Sequence, residues 1–187
     1  MRARPKLIRR IRRARIADQF VQVFKPAIDI RYNAHSVQTH DGLSVEAIPV
    51  ENTSALRALI DWEHVQVVAI DEVQFFDEPV FDLCRELASY GVRVIVAGLN
   101  MDFRGEPFGV MPKLMACART VDILDAICDE CKGPATMTQR LIDGQPACYD
   151  DPIILVAGSD SYEARCADCH KVRPPVNGTD SREWLFS

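Results

Sequence analysis

Two groups of residues in this chain could do chemistry, and they are of different kinds. The first is a pair of adjacent carboxylates, Asp71 and Glu72, directly after the apolar run Val67-Val68-Ala69-Ile70. The run is short and rich in β-branched residues, which predicts a strand buried on both faces. In an open α/β sheet, reactive groups collect at the carboxyl ends of the strands, where these two acids would stand. The same pattern also fits a strand running into a helix N-terminus, where acids are favoured in any case. The second group is four cysteines in two C-x2-C knuckles, Cys128/Cys131 and Cys166/Cys169, with 34 residues between them. Two such knuckles predict a four-thiolate tetrahedral Zn²⁺ site, closed and therefore structural. His170 is an alternative ligand, although Cys169 sits at the right offset.

An apolar strand closing on Asp-Glu is also the Walker B pattern of nucleoside-triphosphate enzymes, in which one acid reaches the Mg²⁺ shell and another can serve as base. Two loops could complete such a site. Asp29-x-Arg31 follows the end of an earlier strand and could face phosphate and Mg²⁺, or simply solvate a loop. Residues 98–109 combine three glycines, Phe103, Phe108 and Arg104. Such a loop could clamp a flat ring between its aromatics while the arginine meets negative charge. It could equally be an ordinary turn with its aromatics tucked into the core. His35 and His40 have no partner at ligand spacing.

The elements that must position these residues follow the hydrophobic pattern. Residues 1–20 predict an amphipathic helix, with Leu7, Ile8, Ile11 and Ala14 on one side and arginines on the other. A solvated basic face is the favoured reading; a nucleic-acid arm and an organelle presequence are the alternatives. Residues 21–24 predict a strand ending at Lys25-Pro26, and 43–50 an edge strand closed by Pro49. Thr53 or Ser54 is expected to cap a helix reaching Asp61. Asp77 is expected to cap the helix Glu78–Tyr90, with Pro79 in its first turn and Gly91 just past its end. A strand over 92–97 completes a βαβ unit, hence parallel pairing. Pro112 to Arg119 predicts a helix, 121–127 a strand leading into the first knuckle, and 136–142 its return.

Length and composition bound the answer. The chain has 187 residues, 48% of them apolar, enough for a core domain of 1–119, a metal-binding domain of 120–170 and a flexible tail of 171–187. Net charge is −5, which gives no reason to expect nucleic acid or an anionic membrane as partner. Seven cysteines, with no apolar span of membrane length and no secretory signal, point to a reducing cytoplasmic setting and to metal rather than disulfides.

Taken together, several motifs closely resemble the type II thymidine kinases of bacteria and animal cytosol, from about Leu7 to His170. They are Phe24-Lys25-Pro26 with Asp29-x-Arg31-Tyr32, Asp71-Glu72-Val73-Gln74-Phe75-Phe76, Gly98 through Phe108, the paired knuckles and Ser161-Tyr162. The resemblance implies a P-loop-type α/β parallel sheet with a small zinc domain, usually assembled as a homotetramer, with feedback by dTTP. It implies transfer of the ATP γ-phosphate to the 5′-hydroxyl of thymidine. Glu72 would be the general base. Asp71 would help hold Mg²⁺, joined by Asp29, with Val73 and Gln74 on the nucleotide side and Arg31 and Arg104 near phosphate. Phe75, Phe103 and Phe108 would line the nucleoside pocket, with Thr138 a further candidate. The backbone of Ile153, Ile154, Leu155, Val156 and Ala157 would bind the base, and Tyr162 would hold it.

One departure matters. The family opens with a strand and a glycine-rich loop ending Gly-Lys-Ser/Thr, immediately before the first helix. The matching positions here are near Arg2, Ala3 and Arg4, and no GxxxxGK[ST] occurs in the 187 residues. Loose arginines do not replace an ordered nest of backbone N–H groups. The expectation is a truncated or wrongly started reading frame of a functional kinase gene. The chain as it stands should bind ATP very weakly and turn over little or not at all, with nucleoside binding partly retained. From another class, a non-catalytic zinc-ribbon binding protein is the competing reading.

Overall fold

The computed structural model describes residues 3–27, 36–38, 43–154 and 161–175. Its element order is α1 (Ala3–Ile16), β1 (Val21–Pro26), β2 (Ser36–Gln38), β3 (Ser44–Glu46), β4 (Ile48–Val50), α2 (Thr53–Leu59), β5 (Val67–Ile70), α3 (Pro79–Ser89), β6 (Arg93–Val96), α4 (Met111–Cys117), β7 (Ala126–Ile127), β8 (Pro134–Ala135), β9 (Met137–Ile142), β10 (Gln145–Pro146) and β11 (Ser161–Arg165). Contacts divide the chain into two units, Met1–Asn100 with Pro107–Leu124, and Met101–Glu106 with Asp125–Ser187. No helix among the described residues is long and apolar enough to cross a membrane.

The first unit is built on a parallel sheet in the order β4-β1-β5-β6. The protein is an α/β protein, as the βαβ pattern predicts. β5 is central and all four of its residues are buried. Because successive strand side chains point to opposite faces, Val67 and Ala69 join one hydrophobic cluster, while Val68 and Ile70 join another. The first cluster is closed by Leu7, Ile8, Ile11 and Ala14 of α1, together with Val37 and Val45 of the antiparallel β2–β3 pair. The second is closed by Leu56 of α2, Val80, Leu83 and Leu87 of α3, and Leu114 of α4. Each large apolar side chain buried in this way contributes about 1.5–3 kcal/mol, so α1 is anchored by three of them, while Arg9, Arg12, Arg13 and Arg15 are left exposed. The expected strand over 43–50 is two short strands, since Ala47 separates β3 from β4 and they pair with different partners.

The helix caps differ from expectation in an informative way. Asn52, not Thr53 or Ser54, caps α2, its side chain accepting from the Ala55 amide at 2.9 Å. Thr53 instead donates its amide and its hydroxyl to Asp77 Oδ1, at 2.9 and 2.6 Å. Asp77 is thereby taken from the start of α3, whose cap position is Glu78 with no side-chain capping bond and whose first turn begins with Pro79. One carboxylate ties the beginnings of two helices together. Burial opposes its ionisation, but the Thr53 hydroxyl and amide outweigh that and hold Asp77 below its usual range. Gly91 follows α3 with φ +79°, the left-handed position that suits glycine.

The second unit has two antiparallel sheets, β10-β9-β11 and β7-β8. Asp143 and Gly144, both at positive φ, form the two-residue turn from β9 to β10. The expected strand over 121–127 is confined to Ala126–Ile127. Arg173, within the expected tail, is paired: its amide donates to Ala147 O and its carbonyl accepts from Tyr149 N, both at 2.9 Å.

Candidate functional site

The acids at the end of β5 are placed by the sheet itself. The Asp71 amide donates to Phe24 O of β1 at 2.9 Å, and the Val73 amide to Ala97 O at 3.1 Å. Between them the chain turns sharply, with Glu72 at φ 49°, ψ 43°, in the left-handed region that a non-glycine residue enters at a cost of about 1–3 kcal/mol. A single 3-10 turn, Val73–Phe75, follows. Both acids are buried, at 2% and 6% exposure.

Their carboxylates are not alone. Arg4 of α1 reaches both, Nε to Asp71 Oδ2 at 2.9 Å and Nη2 to Glu72 Oε1 at 3.1 Å. Gln74 donates its Nε2 to the other Glu72 oxygen at 2.7 Å, and its Oε1 accepts from the Leu99 amide at 3.2 Å. Two glycines leave room for Gln74, one at its side-chain amide and one at its backbone. A Cβ on Gly98 would stand 2.1 Å from Gln74 Oε1, and one on Gly109 (φ +52°) would stand 2.5 Å from the Gln74 carbonyl. Asp71 is raised to about 7, first by burial and then by the charge of Glu72, against which the Arg4 guanidinium only partly prevails. This is a desolvated acid pair sharing one cation, able to hold a positive group or to accept a proton.

The four cysteines of the second unit form the other cluster. Their sulfurs all lie within 4.8 Å of one another, and Cys131 Sγ is 3.6 Å from Cys166 Sγ. Tetrahedral zinc with bonds of about 2.3 Å needs sulfurs roughly 3.8 Å apart, so the set fits this metal. Each knuckle is a tight turn: the Cys128 amide donates to Gly133 O at 2.8 Å, and the His170 amide to Cys166 O at 3.0 Å. Asp129 ties the first knuckle to β11, its carboxylate accepting from the Ala164 amide at 2.7 Å. Burial works against ionisation of Cys128, but amides of Cys131, Cys166 and Glu130 lower it to about 6. Cys169 is pushed to about 12, chiefly by the Cys166 thiol. His170 is not a ligand in this arrangement; its Nε2 lies 2.8 Å from Phe103 O.

An Asp-Glu pair closing a central parallel strand and a four-cysteine cluster in one chain agree with what a comparison with family models finds. The model described as thymidine kinase matches residues 4–170. This chain belongs to the thymidine kinase family.

The other residues expected in a thymidine kinase site are divided between the units. In the first, Phe75 and Phe108 meet edge to face, centroids 5.4 Å apart, and Val73 is fully buried. In the second, Phe103 is buried under the Arg140 guanidinium, 5.2 Å from its centroid. Arg104 pairs with Asp102, Nη2 to Oδ2 at 2.6 Å, and lies over the Tyr149 ring at 5.0 Å. Thr138 stands on β9 opposite Ala164, and Tyr162 on β11 opposite Arg140. Ile153, Ile154 and Tyr162 present apolar surface to solvent. Asp29, Arg31, Leu155, Val156 and Ala157 lie outside the described residues, as do His35 and His40. Sequence reading missed Arg4 as a partner of the acids. Its only signal was position, since it falls where the family places the end of its Gly-Lys-Ser/Thr segment.

Proposed function

We propose that the chain is a nucleoside kinase of the thymidine type, built to transfer a phosphoryl group from ATP to the 5′-hydroxyl of thymidine, giving dTMP in nucleotide salvage. The observation that carries this reading is the buried Asp71–Glu72 pair at the end of β5, with the Glu72 carboxylate held by Gln74, in a chain of this family. Glu72 is the general base, taking the hydroxyl proton as the oxygen attacks; such a base works within hydrogen-bond reach of the proton it removes. The family reading assigns Phe75, Phe103, Phe108, Thr138, Tyr162 and the 153–157 segment to the nucleoside, and Asp29, Arg31 and Arg104 to the nucleotide side. The zinc is structural and takes no part in the reaction. Mg²⁺ neutralises phosphate charge in such transfers. The residues described do not fit it as they stand, because both acids face Arg4, and no step is assigned to it. A homotetramer, feedback by dTTP and a cytoplasmic setting belong to the same proposal.

Without a GxxxxGK[ST] among its residues, this polypeptide should bind ATP weakly. The Arg4 contact with both acids favours a second reading, a catalytically inactive zinc-ribbon binding protein. Calorimetric titration with thymidine separates the two. The kinase reading expects binding by the zinc-loaded chain, weakened about tenfold or more by Tyr162→Ala, on the scale of about 1.4 kcal/mol per factor of ten. Well-folded, zinc-loaded protein that ignores millimolar thymidine would favour the binding protein.

A further inference from the structure

The acid pair of the first unit already has a cation, and it is a covalently attached one. Arg4 lies in the first turn of α1, and Leu7, Ile8 and Ile11 pin that helix to the sheet. The side chains of Arg4, Asp71 and Glu72 are 17%, 2% and 7% exposed, so their contact is mostly out of water, where ionic screening is weak. One guanidinium nitrogen addresses each acid, and the second Glu72 oxygen is occupied by Gln74.

We infer that Arg4 is the resident counter-cation of the Asp71–Glu72 pair, occupying the place a divalent cation would take and keeping Mg²⁺ out. The two cations are not equivalent. Mg²⁺ binds oxygen in a near-octahedral shell at about 2.0–2.1 Å and keeps positions open for water or phosphate oxygens. A guanidinium is planar, offers only N–H donors and has no coordination position to share. It neutralises one of the two negative charges and organises the carboxylates, but it cannot bridge them to a phosphate as a metal does. Arginine stays charged throughout the physiological range, so loss of its own proton does not release the contact. The inference concerns the pair that the kinase reading uses, but its test needs no turnover, so the two can fail separately.

The test is Mn²⁺ binding, followed by electron paramagnetic resonance, on the zinc-loaded 187-residue chain. Zinc filling the thiolates leaves oxygen sites for the harder ion. The wild type should bind no Mn²⁺ that Asp71→Asn removes. Arg4→Ser should gain a site at least tenfold tighter than any in the wild type, and Arg4→Ser/Asp71→Asn should lose it. Equal Asp71-dependent binding in wild type and Arg4→Ser would overturn the inference, as would a folded Arg4→Ser with no such site. Should Arg4→Ser fail to fold, the Arg4 Nε–H resonance of the wild type decides. It should be protected from exchange and unmoved by millimolar Mg²⁺; displacement by Mg²⁺ at that level would sink the idea.

Discussion

The carboxylate pair and the cysteine cluster are both small sets of ionisable groups, yet they are assembled in opposite ways. The cysteine cluster is nearly local. Each knuckle is a turn closed by its own backbone, and only the meeting of two turns is long-range. The acid pair is adjacent in sequence and Gln74 stands two residues from Glu72, but the cation and the space for Gln74 come from far along the chain: Arg4 from α1, and Gly98 and Gly109. Four thiolates at this spacing fit a metal that they would share. Clustered carboxylates here are stabilised by a side chain. The lesson is that spacing reveals a site when the ligands do their own positioning, and conceals it when a distant residue supplies the charge.

Denying the four cysteines a metal gives the largest expected effect. Structural zinc contributes about 10–16 kcal/mol in small zinc-dependent folds. Chelation, or Cys128→Ser, should therefore unfold the second unit while amides of β1, β5 and β6 stay protected from hydrogen exchange. Protection of β9 and β11 in zinc-free protein would break the contrast. Next comes the anchor of α1: Ile11→Ala, at a fully buried position, should cost about 2–5 kcal/mol in denaturant unfolding of the first unit and leave the zinc content unchanged. Gly98→Ala should cost about 1–3 kcal/mol, because its methyl needs the space of Gln74 Oε1. It should also shift the Gln74 side-chain amide resonances, and unshifted resonances would mean that Gln74 is not what the glycine accommodates.

The smallest effect belongs to the helix tie. Thr53→Val should cost about 0.5–1 kcal/mol at neutral pH, solvent screening the exposed partner. Asp77 has a lowered pKa, so its bond with Thr53 contributes fully above the ordinary carboxylate range and is lost as pH falls through the lower folded value. The difference in melting temperature between wild type and Thr53→Val should therefore narrow on acidification. A gap that stays constant down to strongly acidic pH would assign the effect to packing.

What was legible in the sequence follows the same division. The apolar stripe Leu7–Ile8–Ile11 predicts the buried face of α1, the run 67–70 predicts the central strand, and the knuckles predict the cysteine cluster. Each is a pattern of local periodicity or spacing that one segment carries by itself. The capping of α2 and α3 was misassigned because Thr53 and Asp77 are each plausible caps alone, and only the folded chain brings them together. Arg4 was legible as charge but not as a partner, because its acids stand 67 and 68 residues away. Phe103 and Phe108 read either as a clamp for a flat ring or as aromatics tucked into the core; both are buried, Phe103 beneath Arg140, a contact that no local pattern encodes.

The most direct test is ATP-dependent phosphorylation of thymidine by the zinc-loaded 187-residue chain, with thymidine binding measured on the same sample. A chain of this family with Arg4 on its acid pair and no GxxxxGK[ST] should bind thymidine and form little or no dTMP. Robust turnover by the wild-type polypeptide would contradict the block of the acid pair by Arg4, and a folded sample that ignores thymidine would contradict the kinase reading.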